Sequence, residues 1–411
     1  MTGETSSPAL LPDDVERAVL VGRVWDPETG GPRPVAVRGH GSDAVVHDIF
    51  AVAPTVADLM ESADPAAAVR AADNPRWRLG ELLEHGSRPE DDLSVPRLLS
   101  PVDLQVIKAC GVTFVDSMVE RVIEERCAGD ASRAAEVRAA VEASLSGFEG
   151  GIGSVEPGSH ESARIKEVLL EQGLWSQYLE VGLGPDPEVF TKGPVLSSVG
   201  YGTRIGIPAF SSWNNPEPEL VLVVDSAGTP RGATLGNDVN LRDVEGRSAL
   251  LLGMAKDNNA STALGPFVRL FDEHLRLDDL RDERIALRVE GRDGYQLDGE
   301  NNVGRLSRSF ERLIAAASGD HHQYPDGFVL FTGTLFAPTQ DRDTPGLGFT
   351  HKPGDRVSIS SPYLGTLTNE VGAAEQLPPW TFGVRALTRY LLQTAGQQDV
   401  ARDTTETGSR A

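Results

Sequence analysis

The alternation of hydrophobic and polar residues separates a short N-terminal part of the chain from a longer, β-rich part. Apolar runs at 19–24 and 35–38 have the length of strands, and the pattern at 55–62 predicts a helix. The segment 88–96 is rich in proline and acidic residues, which predicts a linker. We therefore expect a small N-terminal α/β domain, together with its linker, at residues 1–100.

Beyond the linker, helical periodicity gives way to short strand patterns. Residues 117–145 and 159–172 have helical spacing, and Ser117–Glu120 has the form of a capping box at a helix start. Strand patterns separated by Gly, Pro and Asn follow at 220–224, 284–289, 328–332 and 356–360. These patterns predict an α+β protein with a large β-rich domain at 101–393. Residues 394–411 lack an apolar face and are predicted to form a disordered tail.

The charge of the chain narrows the classes of ligand. The 61 acidic residues outnumber the 38 basic ones, which gives a formal net charge of −23. This charge repels phosphate backbones and disfavours nucleic-acid binding. A small anionic ligand needs a metal ion or local cations to bind against the same field. No run approaches the roughly 18 apolar residues of a membrane span, and the N-terminus lacks a signal-like apolar region, so we expect a cytoplasmic protein without membrane contact.

Three carboxylates are placed to converge on one side of a predicted hairpin. Glu217 and Glu219 lie two apart in an extended, proline-flanked segment, so their side chains point to the same face. The turn signal at 225–228 predicts a hairpin, and a centre between residues 227 and 228 puts Asp238 opposite Glu217. Carboxylates this close repel one another unless a cation neutralises them, and an all-oxygen set suits Mg²⁺ or Mn²⁺. The pattern alone leaves open the alternative of a solvated surface hairpin.

Two other positions carry candidate chemistry. Lys256 closes the apolar run 249–255, and burial there would lower its pKa and make it a usable base, although it could also extend to solvent. Gly333 and Thr334 follow a predicted strand, where a backbone N–H and a hydroxyl can hold a substrate carboxylate; an ordinary turn has the same sequence. The chain has no H-E-x-x-H, Walker A or G-x-S-x-G motif.

In their order along the chain, these motifs resemble the fumarylacetoacetate hydrolase superfamily. The resemblance spans about residues 105–370 and is carried by 216–220, 235–238, 242–243, 256, 265–266, 332–334, 354–357 and 364–369. It implies a mixed β-sandwich roll as the catalytic domain, usually in homodimers or homotetramers. It also implies that Glu217, Glu219 and Asp238 bind Mg²⁺, which chelates the carboxylate and 2-oxo group of a substrate.

The chain departs from the hydrolytic members of that superfamily at one position. Those members carry a histidine and a glutamate that activate water near the start of the domain. The histidine position is Ser117 here, whereas the glutamate is present as Glu120. Without an imidazole, water activation lacks its base, which disfavours hydrolysis of acylpyruvates.

The closer likeness is to the 2-keto-3-deoxy-pentonate dehydratases of the same superfamily. It is carried by 53–60, 174–180, 187–194, 212–217 and 322–327. It implies that Glu188 and Lys256 carry protons while a 2-oxo sugar acid loses water and forms 2-oxoglutarate semialdehyde; we expect Lys256 to be the base, but the sequence does not fix the order. The alternatives are an acylpyruvate or fumarylacetoacetate-type hydrolase or decarboxylase on the same fold, and a catalytically silent binding protein.

Overall fold

Two mixed β-sheets and the helices around them make up the fold. A computed structural model describes residues 9–128, 130–145, 155–171, 173, 175–334, 340–344 and 347–408. The N-terminal elements of that part are β1 (Leu20–Asp26), β2 (Gly31–Arg38), β3 (Val45–Asp48), α1 (Val56–Met60), α2 (Pro65–Ala71), β4 (Pro75–Arg78), α3 (Leu79–His85) and β5 (Arg97–Leu99). The helical middle part contains β6 (Val106–Gly111), α4 (Val115–Cys127), α5 (Ala134–Leu145), α6 (His160–Glu171) and α7 (Gln177–Leu183).

The remaining elements are mostly strands, as the sequence predicts. They are β7 (Glu188–Gly193), β8 (Ile205–Ile207), β9 (Asn214–Asn215), β10 (Pro218–Val224), β11 (Pro230–Asp238), β12 (Asn240–Leu241), α8 (Arg242–Glu245), α9 (Leu252–Lys256), β13 (Thr262–Leu270), β14 (Arg284–Glu290), β15 (Gln296–Asn302), α10 (Phe310–Ala317), β16 (Phe328–Phe331), β17 (Arg356–Ser361), β18 (Gly365–Ala373) and α11 (Val384–Gly408). The α+β class and the β-rich character of this part of the chain are confirmed.

The larger sheet joins N-terminal strands to strands of the β-rich part. Its order is β4-β3-β2-β1-β13-β11-β10-β16-β6-β7, and β5 pairs with β1. The junction is antiparallel, with Leu20 of β1 opposite Arg269 of β13. The smaller sheet has the order β15-β14-β17-β18-β8, and β9 pairs separately with β12. The division into domains near residue 100 stays a prediction. In the structure, the N-terminal strands extend the central sheet.

Strand β10 shows why this sheet is central. Because side chains alternate along a strand, Leu220 and Leu222 face a core shared with the smaller sheet, whereas Val221 and Val223 face a second core under α1 and α2. All four are fully buried. A strand buried on both faces reads as a continuous apolar run, and each buried Leu or Val contributes about 1.5–3 kcal/mol. The site strands are thus fixed from both sides.

Two helical predictions need correction. Helix α4 begins at Val115 with Phe114 as its N-cap, so Ser117 lies inside the helix and the predicted capping box is wrong. Its side chain lies outside the described residues. The spacing of Ile165, Val168 and Leu169 predicts one apolar side for α6, but Val168 is 40% exposed while Ile165 and Leu169 are buried. The apolar stripe of α6 is therefore narrower than its sequence suggests.

The C-terminal segment is helical where its sequence predicts a disordered tail. Helix α11 continues from Val384 through Thr394 to Gly408. Its first turns pack on the N-terminal part, since Leu387 and Tyr390 form a buried cluster with Phe50. A docked helix propagates cheaply into polar residues because each added residue fixes one more hydrogen bond.

Candidate metal centre and active site

The hairpin β10–β11 has the register that the sequence predicts. Pro218 pairs with Asn237, and the N–H of Asp238 donates to the carbonyl of Glu217 at 3.1 Å, so these two acids lie opposite each other. The turn is closed by the N–H of Gly228, which donates to the carbonyl of Asp225 at 3.1 Å. Gly228 has φ +81°, a conformation that glycine adopts without strain. Because the pairing shifts by one position between Val223 and Val224, the register of the acids is set by the turn together with this bulge.

Glu217, Glu219 and Asp238 converge on one buried point. One oxygen from each carboxylate lies within 4.8 Å of the other two, and all three side chains are buried. Glu219 accepts a hydrogen bond from the N–H of Gly333 at 2.6 Å. Burial, followed by the charges of Asp238 and Glu217, raises the pKa of Glu219 well above its usual value. The surface-hairpin alternative is thereby excluded.

Cationic side chains surround two of the three acids. Lys256 Nζ lies 2.6 Å from Glu217 Oε2 and 3.1 Å from Asp238 Oδ2. Arg121 Nη2 lies 2.5 Å from the other oxygen of Glu217, Oε1. Lys192 Nζ lies 2.9 Å from Asp238 Oδ1. Among the described residues, none brings a cationic nitrogen within 4 Å of Glu219, which explains why its charge is the least compensated.

Lys256 is buried rather than extended to solvent, but its pKa moves opposite to the direction expected from burial. Burial alone would lower the pKa of Lys256. The carboxylates of Asp238, Glu217 and Glu245 outweigh burial and raise its pKa above the usual value. The expectation of a lowered pKa is wrong because the neighbours of Lys256 are acids that the apolar run before it does not reveal.

The acidic cluster fits a hard divalent cation. All three donors are carboxylate oxygens, which Mg²⁺ and Mn²⁺ prefer. Asp238 Oδ1 is a buried oxygen without a well-aligned hydrogen bond, although Lys192 is near it, and Glu219 has no cationic partner among the described residues. A divalent cation between the three carboxylates would give Asp238 Oδ1 a bonding partner and would neutralise the charge of Glu219. These residues are therefore suited to hold a metal ion.

Strand β7 presents alternate side chains to this centre. Glu188, Phe190 and Lys192 lie two apart and share one face. The ammonium of Lys256 lies 5.8 Å from the ring centroid of Phe190. Glu188 lies opposite Gly111 of β6, where a Cβ atom would be 2.0 Å from its Oε2. Burial raises the pKa of Glu188, and the charges of Arg121 and Lys256 oppose that rise.

Gly333 and Thr334 follow the end of β16, next to the acids. The N–H of Gly333 holds a carboxylate, as predicted for this position, but the carboxylate is that of Glu219. Gly333 has φ +96°, and a Cβ atom there would lie 1.9 Å from Thr113 Oγ1. Thr334 is buried beside it. The structure thus places both residues at the centre, and their contact with substrate stays a prediction.

Glu120 forms ion pairs with two arginines. Its Oε2 accepts from Arg138 at 2.7 Å and lies 3.3 Å from Arg242 Nη2. Arg242 also binds Glu124 at 2.6 Å and stacks on the ring of Trp213. A carboxylate shared by two guanidinium groups has its oxygens engaged in charge-assisted hydrogen bonds. Glu120 therefore shows the surroundings of a structural residue.

The sequence reasoning missed three residues that touch the centre. Arg121 bridges Glu217 to Glu124 and Glu245, with both further contacts at 2.7 Å. Glu245 is fully enclosed, and burial raises its pKa to about 7. Lys192 was detectable in principle, because it lies on the same strand face as Glu188. No local sequence pattern predicts that Arg121 bridges these glutamates.

The chain matches one protein family and is similar in sequence to two known enzymes. Residues 166–372 match the fumarylacetoacetate (FAA) hydrolase C-terminal family. A probable 2-keto-3-deoxyxylonate dehydratase of Haloferax volcanii is 32% identical over 202 residues, 49% of this chain and 65% of the relative. A 2-dehydro-3-deoxy-D-arabinonate dehydratase of Saccharolobus solfataricus is 35% identical over 185 residues, 45% of this chain and 58% of the relative. The alignments thus span less than two thirds of either relative.

The fold also resembles solved structures. A structure of 2-keto-3-deoxy-D-arabinonate dehydratase complexed with magnesium and 2,5-dioxopentanoate superposes with a TM-score of 0.57. The match covers 86% of this chain and 99% of that one, at 20% identity. No described helix has the length and apolar composition that a bilayer-spanning segment needs.

Proposed function

Because the chain belongs to the fumarylacetoacetate hydrolase family, we propose that it is a Mg²⁺-dependent dehydratase acting on 2-keto-3-deoxy-D-pentonates. The product is 2-oxoglutarate semialdehyde, which is 2,5-dioxopentanoate. The observation that carries the proposal is the contact of the Lys256 ammonium with two of the three converging carboxylates, Glu217 and Asp238. The proposed proton carrier thus lies within hydrogen-bonding distance of two of the proposed metal ligands. The names of the two relatives and of the magnesium complex support the same substrate class.

The three carboxylates, Glu217, Glu219 and Asp238, would hold the ion, with Mn²⁺ as a possible substitute. When bound, the ion supplies Lewis-acid polarisation of the substrate's 2-oxo group, which acidifies the C3 protons. Gly333 keeps Glu219 aimed at the centre through its N–H. Thr334, beside it, is the proposed contact for the substrate carboxylate, and Lys256 is the second substrate contact.

Glu188 and Lys256 are the proposed proton carriers. Glu188 removes a proton from C3 as a carboxylate, and Lys256 donates a proton to the departing C4 hydroxyl, which leaves as water. This order reverses the one that the sequence favoured, because Lys256 has carboxylates at 2.6 and 3.1 Å that hold it as an ammonium. The unsaturated 2-oxo acid then tautomerises to the semialdehyde. General acid–base assistance of this kind contributes roughly 10²–10⁴-fold to a rate.

Dehydration is favoured over hydrolysis by the state of Glu120. Cleavage of an acylpyruvate needs a base that activates water. Glu120 is shared by Arg138 and Arg242, and the residue one turn earlier in α4 is Ser117. At these two positions the chain therefore offers a serine in place of an imidazole and a carboxylate that is held in ion pairs.

Association into a homodimer or homotetramer is part of the proposal. Large apolar side chains remain exposed on the described chain, among them Leu250 at 95% and Phe210 at 51%. Association between subunits would remove such side chains from water. Light scattering on the purified protein tests this directly, and a monomer at micromolar concentration would contradict it.

The decisive experiment is turnover of 2-keto-3-deoxy-D-xylonate and its arabinonate counterpart with identification of the product. We expect 2,5-dioxopentanoate without chain cleavage, loss of activity in EDTA and its return with Mg²⁺ or Mn²⁺. Acetylpyruvate serves as the matched hydrolase substrate. Release of pyruvate from it at a comparable rate, or full dehydration in EDTA, would overturn the proposal.

A further inference from the structure

Lys192 is buried where three segments of the centre meet. Its side chain has no exposed surface. Its Nζ donates to the backbone carbonyl of Lys256 and, at 3.3 Å, to that of Val239. The same atom lies 3.4 Å from Ser261 Oγ and 2.9 Å from Asp238 Oδ1. One ammonium thus connects the end of β11, the end of α9 and the start of β13.

The position of Lys256 depends on such external contacts. Helix α9 has only five residues, 252–256, and Lys256 is the last of them. A helix of this length is unstable by itself, so tertiary contacts fix its end. The carbonyl of Lys256 accepts from Lys192 and also from Ser261 Oγ at 2.8 Å.

We propose that Lys192 is a positioning residue that ties the metal-binding carboxylate of Asp238 to the backbone of Lys256. This inference rests on the proposed function, in which Asp238 binds the ion and Lys256 carries a proton. By holding both, Lys192 fixes the distance between the polarised substrate and the proton carrier. Lys192 does so at a cost in metal affinity, because its ammonium competes with a divalent cation for Asp238.

The test is Lys192→Met, which keeps the length of the side chain and removes the ammonium. We expect kcat to fall on the order of 100-fold, the effect of a displacement of about 1 Å in a reacting group. The dissociation constant for Mg²⁺, measured by calorimetry without substrate, should stay the same or decrease. Lys108→Met is the matched control, because Lys108 is buried on the neighbouring strand and donates to Thr191 Oγ1 at 3.0 Å, away from the carboxylates. It should change neither quantity.

A second measurement reads the tether without any substrate. Amide hydrogen exchange over residues 252–261 should accelerate in Lys192→Met and stay unchanged in Lys108→Met. Slow exchange in both variants overturns the tether, whereas fast exchange in an enzyme that does not dehydrate pentonates overturns only the proposed function. If Lys192→Met does not fold, Ser261→Ala removes one arm of the same tether and should lower kcat about threefold to tenfold.

Opposite changes in Mg²⁺ affinity and in kcat would also contradict the proposal. If Mg²⁺ binding weakens in Lys192→Met and saturating Mg²⁺ restores kcat, Lys192 only shapes the metal site. If Ser261→Ala leaves kcat and the exchange of residues 252–261 unchanged, the backbone of Lys256 needs no anchor.

Discussion

The three converging acids should respond differently to the same substitution. Glu217 has both oxygens paired, with Arg121 and Lys256, whereas the hydrogen bond that the described residues give Glu219 comes from the N–H of Gly333. We therefore expect Glu219→Gln to stabilise the protein in EDTA and Glu217→Gln to destabilise it. The two changes lie two residues apart on one strand face and remove the same charge, so each serves as the control for the other.

The size of the Glu219 effect follows from its neighbours. Two like charges 4.8 Å apart repel by about 3.5 kcal/mol at an effective dielectric constant of about 20. Glu219 lies near two such charges, but it takes up a proton once the repulsion exceeds the free energy of protonation. At pH 7 the cost of protonating a glutamate with an unfolded pKa of about 4.3 is about 3.7 kcal/mol, which sets the upper limit. Attraction by Lys256 lowers this figure, and we expect a gain of about 2 kcal/mol.

The sign of the pH dependence follows from the direction of the shift. The pKa of Glu219 is raised in the folded protein, so the folded state binds a proton that the unfolded state releases. Its contribution to stability in EDTA therefore falls as the pH rises from about 4.3, the usual pKa of a glutamate, through the raised folded value. Glu219→Gln should remove this decline. Glu217→Gln should cost about 2 kcal/mol, because it leaves Arg121 and Lys256 with one buried partner fewer.

Urea unfolding in EDTA at several pH values measures these quantities. Calorimetry with Mg²⁺ supplies the counterpart, since loss of one of three charged ligands should weaken binding on the order of 100-fold, about 2.7 kcal/mol. Mg²⁺ at 100 times its dissociation constant should stabilise the wild type by about 2.7 kcal/mol. If Glu219→Gln lowers stability in EDTA as much as Glu217→Gln does, the acids are not mutually repelling and the reasoning fails.

Two other predictions concern residues around the centre, and a third concerns the end of α11. Gly333→Ala should cost about 1–3 kcal/mol and weaken Mg²⁺ binding, because its Cβ would meet Thr113 and displace the donor to Glu219; unchanged calorimetry would contradict this. Glu120→Gln should lower the melting temperature and leave the low rate of acetylpyruvate cleavage unaltered, and a further fall in cleavage would identify Glu120 as a base. Truncation after Gln393 should cost less than about 1 kcal/mol, since the buried apolar residues Leu387 and Tyr390 precede the cut and the buried residue removed is the polar Thr394; loss of activity or assembly would show that further removed residues dock.

The sequence by itself determined the features that depend on neighbouring residues. The alternation of side chains and the turn signal at 225–228 predict Asp238 opposite Glu217, and the structure reaches this pairing through a register shift between Val223 and Val224. The convergence of Glu219 follows from the same period of two. The family resemblance extended this to Lys256 and Glu188, because ordered motifs identify positions even where their contacts are unknown.

The tertiary structure alone decided the electrostatics of the centre. Arg121 reaches Glu217 across 96 positions of sequence, and Lys192 reaches Lys256 across 64. Such contacts depend on how α4 and β7 pack against the hairpin, and no local period encodes that packing. The direction of the Lys256 pKa shift is the consequence: the apolar run before it predicts burial, but the pKa depends on which charges burial places beside the ammonium.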